Sequence, residues 1–91
     1  MLKMSKTIKD LEEFAAEKLG YDIVFQESIS MEPQEVEHLI TTDEKSVLVN
    51  STYDDDKEIT ISVISTPHPE YRPIALVIQD MEGEVQRKEL Y

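Results

Sequence analysis

Cysteine and tryptophan are absent from this chain of 91 residues, and glycine occurs only at Gly20 and Gly83. Without cysteine there is neither a disulfide framework nor a thiolate metal site, and a reducing cytoplasm is compatible with the rest of the sequence. Two isolated glycines at turn positions do not build a phosphate-cradling loop. His38 and His68 are the only imidazoles, and neither has zinc-site spacing or a nucleophile–base arrangement around it. No metal, cofactor or catalytic residue is therefore expected. No apolar run approaches the roughly 20 residues that cross a bilayer, and Met1 to Lys6 lacks the apolar core of a secretion signal, so a soluble intracellular protein is expected.

Bases are scarce as well. Twenty acids against nine lysines and arginines give a formal net charge of -11, with acids in every section of the chain. A folded domain of that composition carries a negative field that repels nucleic acid and anionic membrane and attracts basic protein surfaces. The length and the 40% hydrophobic content suit one domain, 1–91, with one core.

What is present is amphipathic patterning. Thr7 to Gly20 reads as a helix with Ile8, Leu11, Ala15 and Leu19 on one side and Gly20 as its stop. Tyr21 to Ser28 is a β-branched and aromatic run that reads as a strand. Pro33 then opens a second helical stretch in which Val36, Leu39 and Ile40 share a face at i, i+3 and i+4. Glu32, Glu35 and His38 form a second, polar stripe beside it. Beyond Thr41 come four strand-like runs, Val47–Val49, Ile59–Ile64, Ile74–Ile78 and Val85–Leu90. Short turns at Asp54–Lys57 and Met81–Glu84 predict hairpins. The proline-studded 66–73 segment fits an edge or an end of the sheet. The order helix, strand, helix, four strands predicts an α+β domain whose five-stranded sheet is largely antiparallel and carries two helices.

The triple aspartate Asp54–Asp56 lacks the alternating acids, central glycine and terminal glutamate of a calcium loop, so it reads as a solvated turn. A carboxylate-dependent hydrolase is the enzyme reading that the composition leaves, and no cue marks a pair of acids as buried. Binding remains, through an acidic surface beside an apolar stripe.

The residues Gln26-Glu27-Ser28-Ile29, the run Met31, Pro33, Glu35-Val36-Glu37, then Leu48-Val49, Tyr53-Asp54, Pro69-Glu70-Tyr71, Pro73 and Ala75-Leu76-Val77-Ile78-Gln79-Asp80 resemble the phage uracil-DNA glycosylase inhibitor family. Order and spacing are kept from Ile8 to Leu90, apart from a gap near Asp43 to Ser46. The resemblance implies a DNA mimic, not an enzyme. Such a protein acts as a monomer that forms a one-to-one complex with uracil-DNA glycosylase in the cytoplasm of a bacterial host, through the enzyme's basic DNA-binding cleft.

It further implies that Glu27, between Gln26 and Ser28, approaches the mouth of the enzyme's active site, and that Glu35 is a second phosphate surrogate. Met31, Val36, Leu39, Ile40, Val49, Ile64 and Val77 would enclose the enzyme's DNA-intercalating leucine. Two positions depart from the family pattern: His38 replaces an acid, and Ser62 replaces a methionine of the pocket wall. Both changes leave open a DNA mimic retargeted to another basic DNA-handling protein. The resemblance assigns no role to Tyr91 or to the amino-terminal lead.

Overall fold

The computed structural model describes residues 7–91, so the amino-terminal lead lies outside the described residues. Helix α1 spans Ile8–Leu19. It is followed by β1 (Glu27–Met31), a one-turn 3-10 helix (Pro33–Val36), β2 (Val47–Asp54), β3 (Ile59–Ser65), β4 (Pro73–Asp80) and β5 (Val85–Leu90). The strands form one antiparallel sheet in chain order, with β1 and β5 at its edges.

α1 begins where the Asp10 carboxylate accepts the Thr7 N–H at 2.6 Å, and it ends at Gly20, whose φ of 88° permits the left-handed stop. Its buried residues Leu11 and Ala15 lie on one face of the sheet against Ile61, Val63, Leu76 and Ile78. The opposite face carries a second cluster, made of Val36, Leu39, Ile40, Val47, Ile64, Ala75 and Val77. β3 and β4 lie between the two clusters, so Ile61–Ser65 and Ala75–Ile78 are buried on both faces, and Ala75–Ile78 reads as a continuous apolar run instead of alternating.

Three expectations need correction. The second helix from Pro33 is a 3-10 turn of four residues that decays into turn structure before Ile40. A segment this short cannot repay α-helix nucleation by its own hydrogen bonds. Glu35 also reaches back to accept the Glu32 N–H at 2.8 Å, which fixes the tight first turn. The apolar face survives nonetheless, because Val36, Leu39 and Ile40 are all buried.

The first strand lies later than the sequence pattern suggests. Tyr21, Ile23 and Phe25 do alternate, but they pack on the α1 cluster, and the Phe25 N–H donates to the Glu12 carboxylate at 2.7 Å instead of to a strand. Pairing starts at Glu27, opposite Ser51. The β2 strand is also longer than its apolar core, running on through Asn50-Ser51-Thr52-Tyr53 to Asp54.

The hairpins fall where expected. Gly83, at φ 86°, turns β4 into β5, and the Asp80 carboxylate accepts the N–H groups of Glu82 and Glu84, both at 2.9 Å. Asp54 caps the β2–β3 turn by accepting the Lys57 N–H at 3.1 Å. Pro73 sits at the first position of β4, where a missing N–H is tolerated.

Candidate partner-binding face

Directly opposed residues of neighbouring strands share a sheet face, so the register sorts the candidate residues into rows. On the face away from α1, one row runs Ile29, Val49, Ile64, Ala75, Leu90, and the next runs Glu27, Ser51, Ser62, Val77, Lys88. Met31 stands opposite Val47 at the end of β1. The 3-10 turn and the residues after it lie across these rows and add Val36, Leu39 and Ile40 to them.

All seven residues expected to enclose a leucine thus meet in one cluster. Ile64 and Val77 are fully buried, while Met31 and Val49 are half-buried. At the far end of the overlying segment, the Lys88 ammonium donates to the Leu39 carbonyl oxygen at 2.9 Å, joining β5 to the cover. Leu39 and Ile40 also border a cavity of about 390 Å³ that Glu37, His38, Lys88 and Tyr91 help to line.

The polar candidates surround this cluster unevenly. Glu27 opens the edge strand with its side chain exposed, and among the described residues nothing is bonded to its carboxylate. Glu35 is exposed on the 3-10 turn, though one of its oxygens is engaged by the Glu32 N–H. His38 is exposed beside it. Gln26 is held by its N–H, which donates to the Ser51 carbonyl at 2.8 Å. Ser28 does not join the group, because it pairs with Asn50 and so faces the α1 side.

Ser62 is buried in the second row, with its hydroxyl 2.9 Å from that of Ser51. A hydroxyl pair therefore stands where the resemblance implies an apolar wall. Sequence reading missed Ser51 and Lys88. Ser51 becomes visible only once the register sets it between Glu27 and Ser62, and a lysine on an edge strand ordinarily reads as solvated. Among the described residues, no group of three or more His, Asp or Glu is arranged to hold a metal ion, and no helix is long and apolar enough to cross a membrane.

A family model described as uracil-DNA glycosylase inhibitor matches residues 8–91, nearly the whole chain. The chain belongs to the uracil-DNA glycosylase inhibitor family. Membership makes it an inhibitor protein and not an enzyme, with uracil-DNA glycosylase as the protein it acts on. The match begins at the first residue of α1 and includes Tyr91, so both ends of the described fold are part of the inhibitor.

Proposed function

We propose that this inhibitor blocks uracil-DNA glycosylase by mimicking DNA: it occupies the enzyme's basic cleft one-to-one, in the cytoplasm of a bacterial host. Glu27 and Glu35 take the place of phosphates, and the cluster under the 3-10 turn receives the DNA-intercalating leucine at the edge formed by Met31 and Val49. The observation that carries this reading is the gathering of Met31, Val36, Leu39, Ile40, Val49, Ile64 and Val77 into one apolar cluster beside an exposed, unpartnered Glu27 carboxylate.

The division of labour follows from physical chemistry. A formal charge of -11 steers the inhibitor toward a cleft built to hold phosphates, and that steering weakens as salt rises. Burial of one leucine side chain contributes about 1.5–3 kcal/mol and is nearly independent of salt. DNA also takes up that leucine, but only by unstacking its bases, which offsets much of the gain and leaves its hold resting on counterion release. The inhibitor therefore keeps its hold under ionic conditions that loosen the substrate.

His38 and the Ser51–Ser62 hydroxyl pair favour a second reading, in which the same mimicry is directed at a different basic DNA-handling protein. One titration separates the two. Added to a bacterial uracil-DNA glycosylase acting on uracil-containing DNA, the protein is expected to abolish excision at equimolar ratio. Undiminished excision at large excess, together with capture of another DNA-binding protein, would replace the first reading with the second.

A further inference from the structure

β1 is three residues shorter than the strand it pairs with. Its register ends at Glu27 opposite Ser51, whereas β2 continues through Thr52, Tyr53 and Asp54, which are paired only with β3. The missing length leaves a notch of about 290 Å³ in the sheet edge, walled by Gln26, Glu27, Ser51, Thr52, Tyr53 and Thr60. Its chemistry is one-sided. The wall holds one carboxylate, an amide, the hydroxyls of Ser51 and Thr60 and a phenol ring, and no cation, while Thr52, opposite Ile61, turns its side chain to the α1 face.

Several of these groups are held in place but not used up. The Tyr53 hydroxyl donates to the Met81 sulfur at 2.6 Å, which anchors the ring. The Ser51 hydroxyl is paired with Ser62 and keeps accepting capacity. Among the described residues, the side chains of Glu27, Gln26 and Thr60 have no hydrogen-bond partner. The nearby Lys57 does not fill the notch, since its ammonium lies 3.8 Å from the centre of the Tyr21 ring.

We infer that this notch is a socket for one guanidinium group, an arginine side chain of the glycosylase's DNA-binding cleft. The inference rests on the inhibitor reading and adds a contact separate from the leucine cluster. A hard divalent cation is a poor occupant, because it requires several charged or carbonyl oxygens converging at short range and the notch offers one carboxylate. An apolar side chain would leave the hydroxyls and the carboxylate desolvated without partners. A guanidinium brings five donors in a planar fork, pairs with the Glu27 carboxylate, and stacks on an aromatic ring. The row position of Glu27, next to Ser51 and Ser62, sets the charged wall of the notch against the polar rim of the apolar cluster. One surface therefore presents an apolar receptor and a cation receptor side by side.

Thr60 offers the cleanest test, because it lines the notch without belonging to the apolar cluster. In Thr60→Lys an ammonium of the inhibitor itself occupies the notch, and the dissociation constant for the glycosylase is expected to rise at least about tenfold. Thr60→Val keeps the β-branched shape and removes one acceptor; about a threefold rise is expected, through faster dissociation. Glu13→Gln, on the exposed side of α1, makes the same charge change away from the notch and should alter the association rate only. Melting curves verify that each variant is folded.

In a companion series, single cleft arginines of the enzyme are changed to alanine. One of them is expected to abolish the effect of Thr60→Val, as a coupled pair requires. Wild-type inhibition with Thr60→Lys binding unchanged, or no arginine coupled to Thr60, would overturn the socket alone. Failure of the wild-type protein to inhibit would overturn the inhibitor reading and the socket with it.

Discussion

At the scale of single residues, the carboxylates divide by whether the fold already uses them. Glu12 and Asp80 accept backbone N–H groups, and Glu35 is partly engaged in the same way. Glu27 is exposed with nothing bonded to it, so Glu27→Ala removes charge without opening a void. We expect that variant to melt within about 0.5 kcal/mol of wild type while its inhibition of uracil-DNA glycosylase weakens; a clearly lowered melting temperature would show that the carboxylate is structural.

Tyr91 is the opposite case. Its ring packs edge-on against Phe14 at 4.9 Å, the Lys18 ammonium lies 5.4 Å from the same ring, and its hydroxyl donates to Glu89 at 3.0 Å. Burial, and then that hydrogen bond, push its pKa from 10.0 up to about 12. The folded state thus favours the neutral phenol. The associated stability is fully present below pH 10 and is lost as pH rises toward 12. Phenolate absorbance should show a step near pH 12 that Tyr91→Phe removes. Its persistence in that variant would assign the step elsewhere. This role is not legible in the residue pattern, which does not reveal that the end of β5 lies over the last turns of α1.

At the scale of elements, the Pro33–Ile40 segment shows what periodicity can and cannot establish. The i, i+3, i+4 spacing of Val36, Leu39 and Ile40 correctly marks a buried face, and it is the same spacing whether the backbone is one α-helix or a 3-10 turn followed by a looser turn. Hydrogen-bond type was decided by segment length and by Glu35 closing the first turn. With little helical stability of its own, the segment depends on its contacts, among them the Lys88 bond to the Leu39 carbonyl.

Lys88→Met keeps the aliphatic stem and removes that donor. The loss is expected to cost about 1 kcal/mol, a drop of about 4–8 °C in melting temperature for a domain of this size, and to weaken inhibition by loosening the cover. An unchanged melting curve would mean that the segment stays closed on apolar packing alone. The strand runs after Thr41 were legible for a related reason: β4 is apolar from Pro73 to Ile78 because both of its faces are covered, and β3 alternates Ile59, Ile61 and Val63 with Thr60 and Ser62. The unpaired 21–25 stretch was not, since extended backbone and a paired strand alternate alike until the partner of each N–H is known.

At the scale of the whole molecule, charge and shape carry different parts of the function. The excess of eleven negative charges is spread over the fold and acts at a distance. Raising salt is therefore expected to lower the association rate with glycosylase steeply and to leave the dissociation rate nearly constant; stopped-flow mixing and dilution measure the two separately. A dissociation rate that climbs with salt as fast as association falls would mean that the complex is held by ion pairs and not by the apolar cluster.

The sequence by itself determined the α+β class, a largely antiparallel sheet, the acidity and the family, because composition, hydrophobic period and residue identities are properties of the chain before it folds. Tertiary structure alone decided which residues became neighbours. Register placed Ser51 between Glu27 and Ser62, turned Ser28 to the opposite face and left a notch where β1 stops. The physical reason is that a strand's partner is chosen by packing across the sheet. A shift of one residue, invisible in the local pattern, would carry every side chain to the other side.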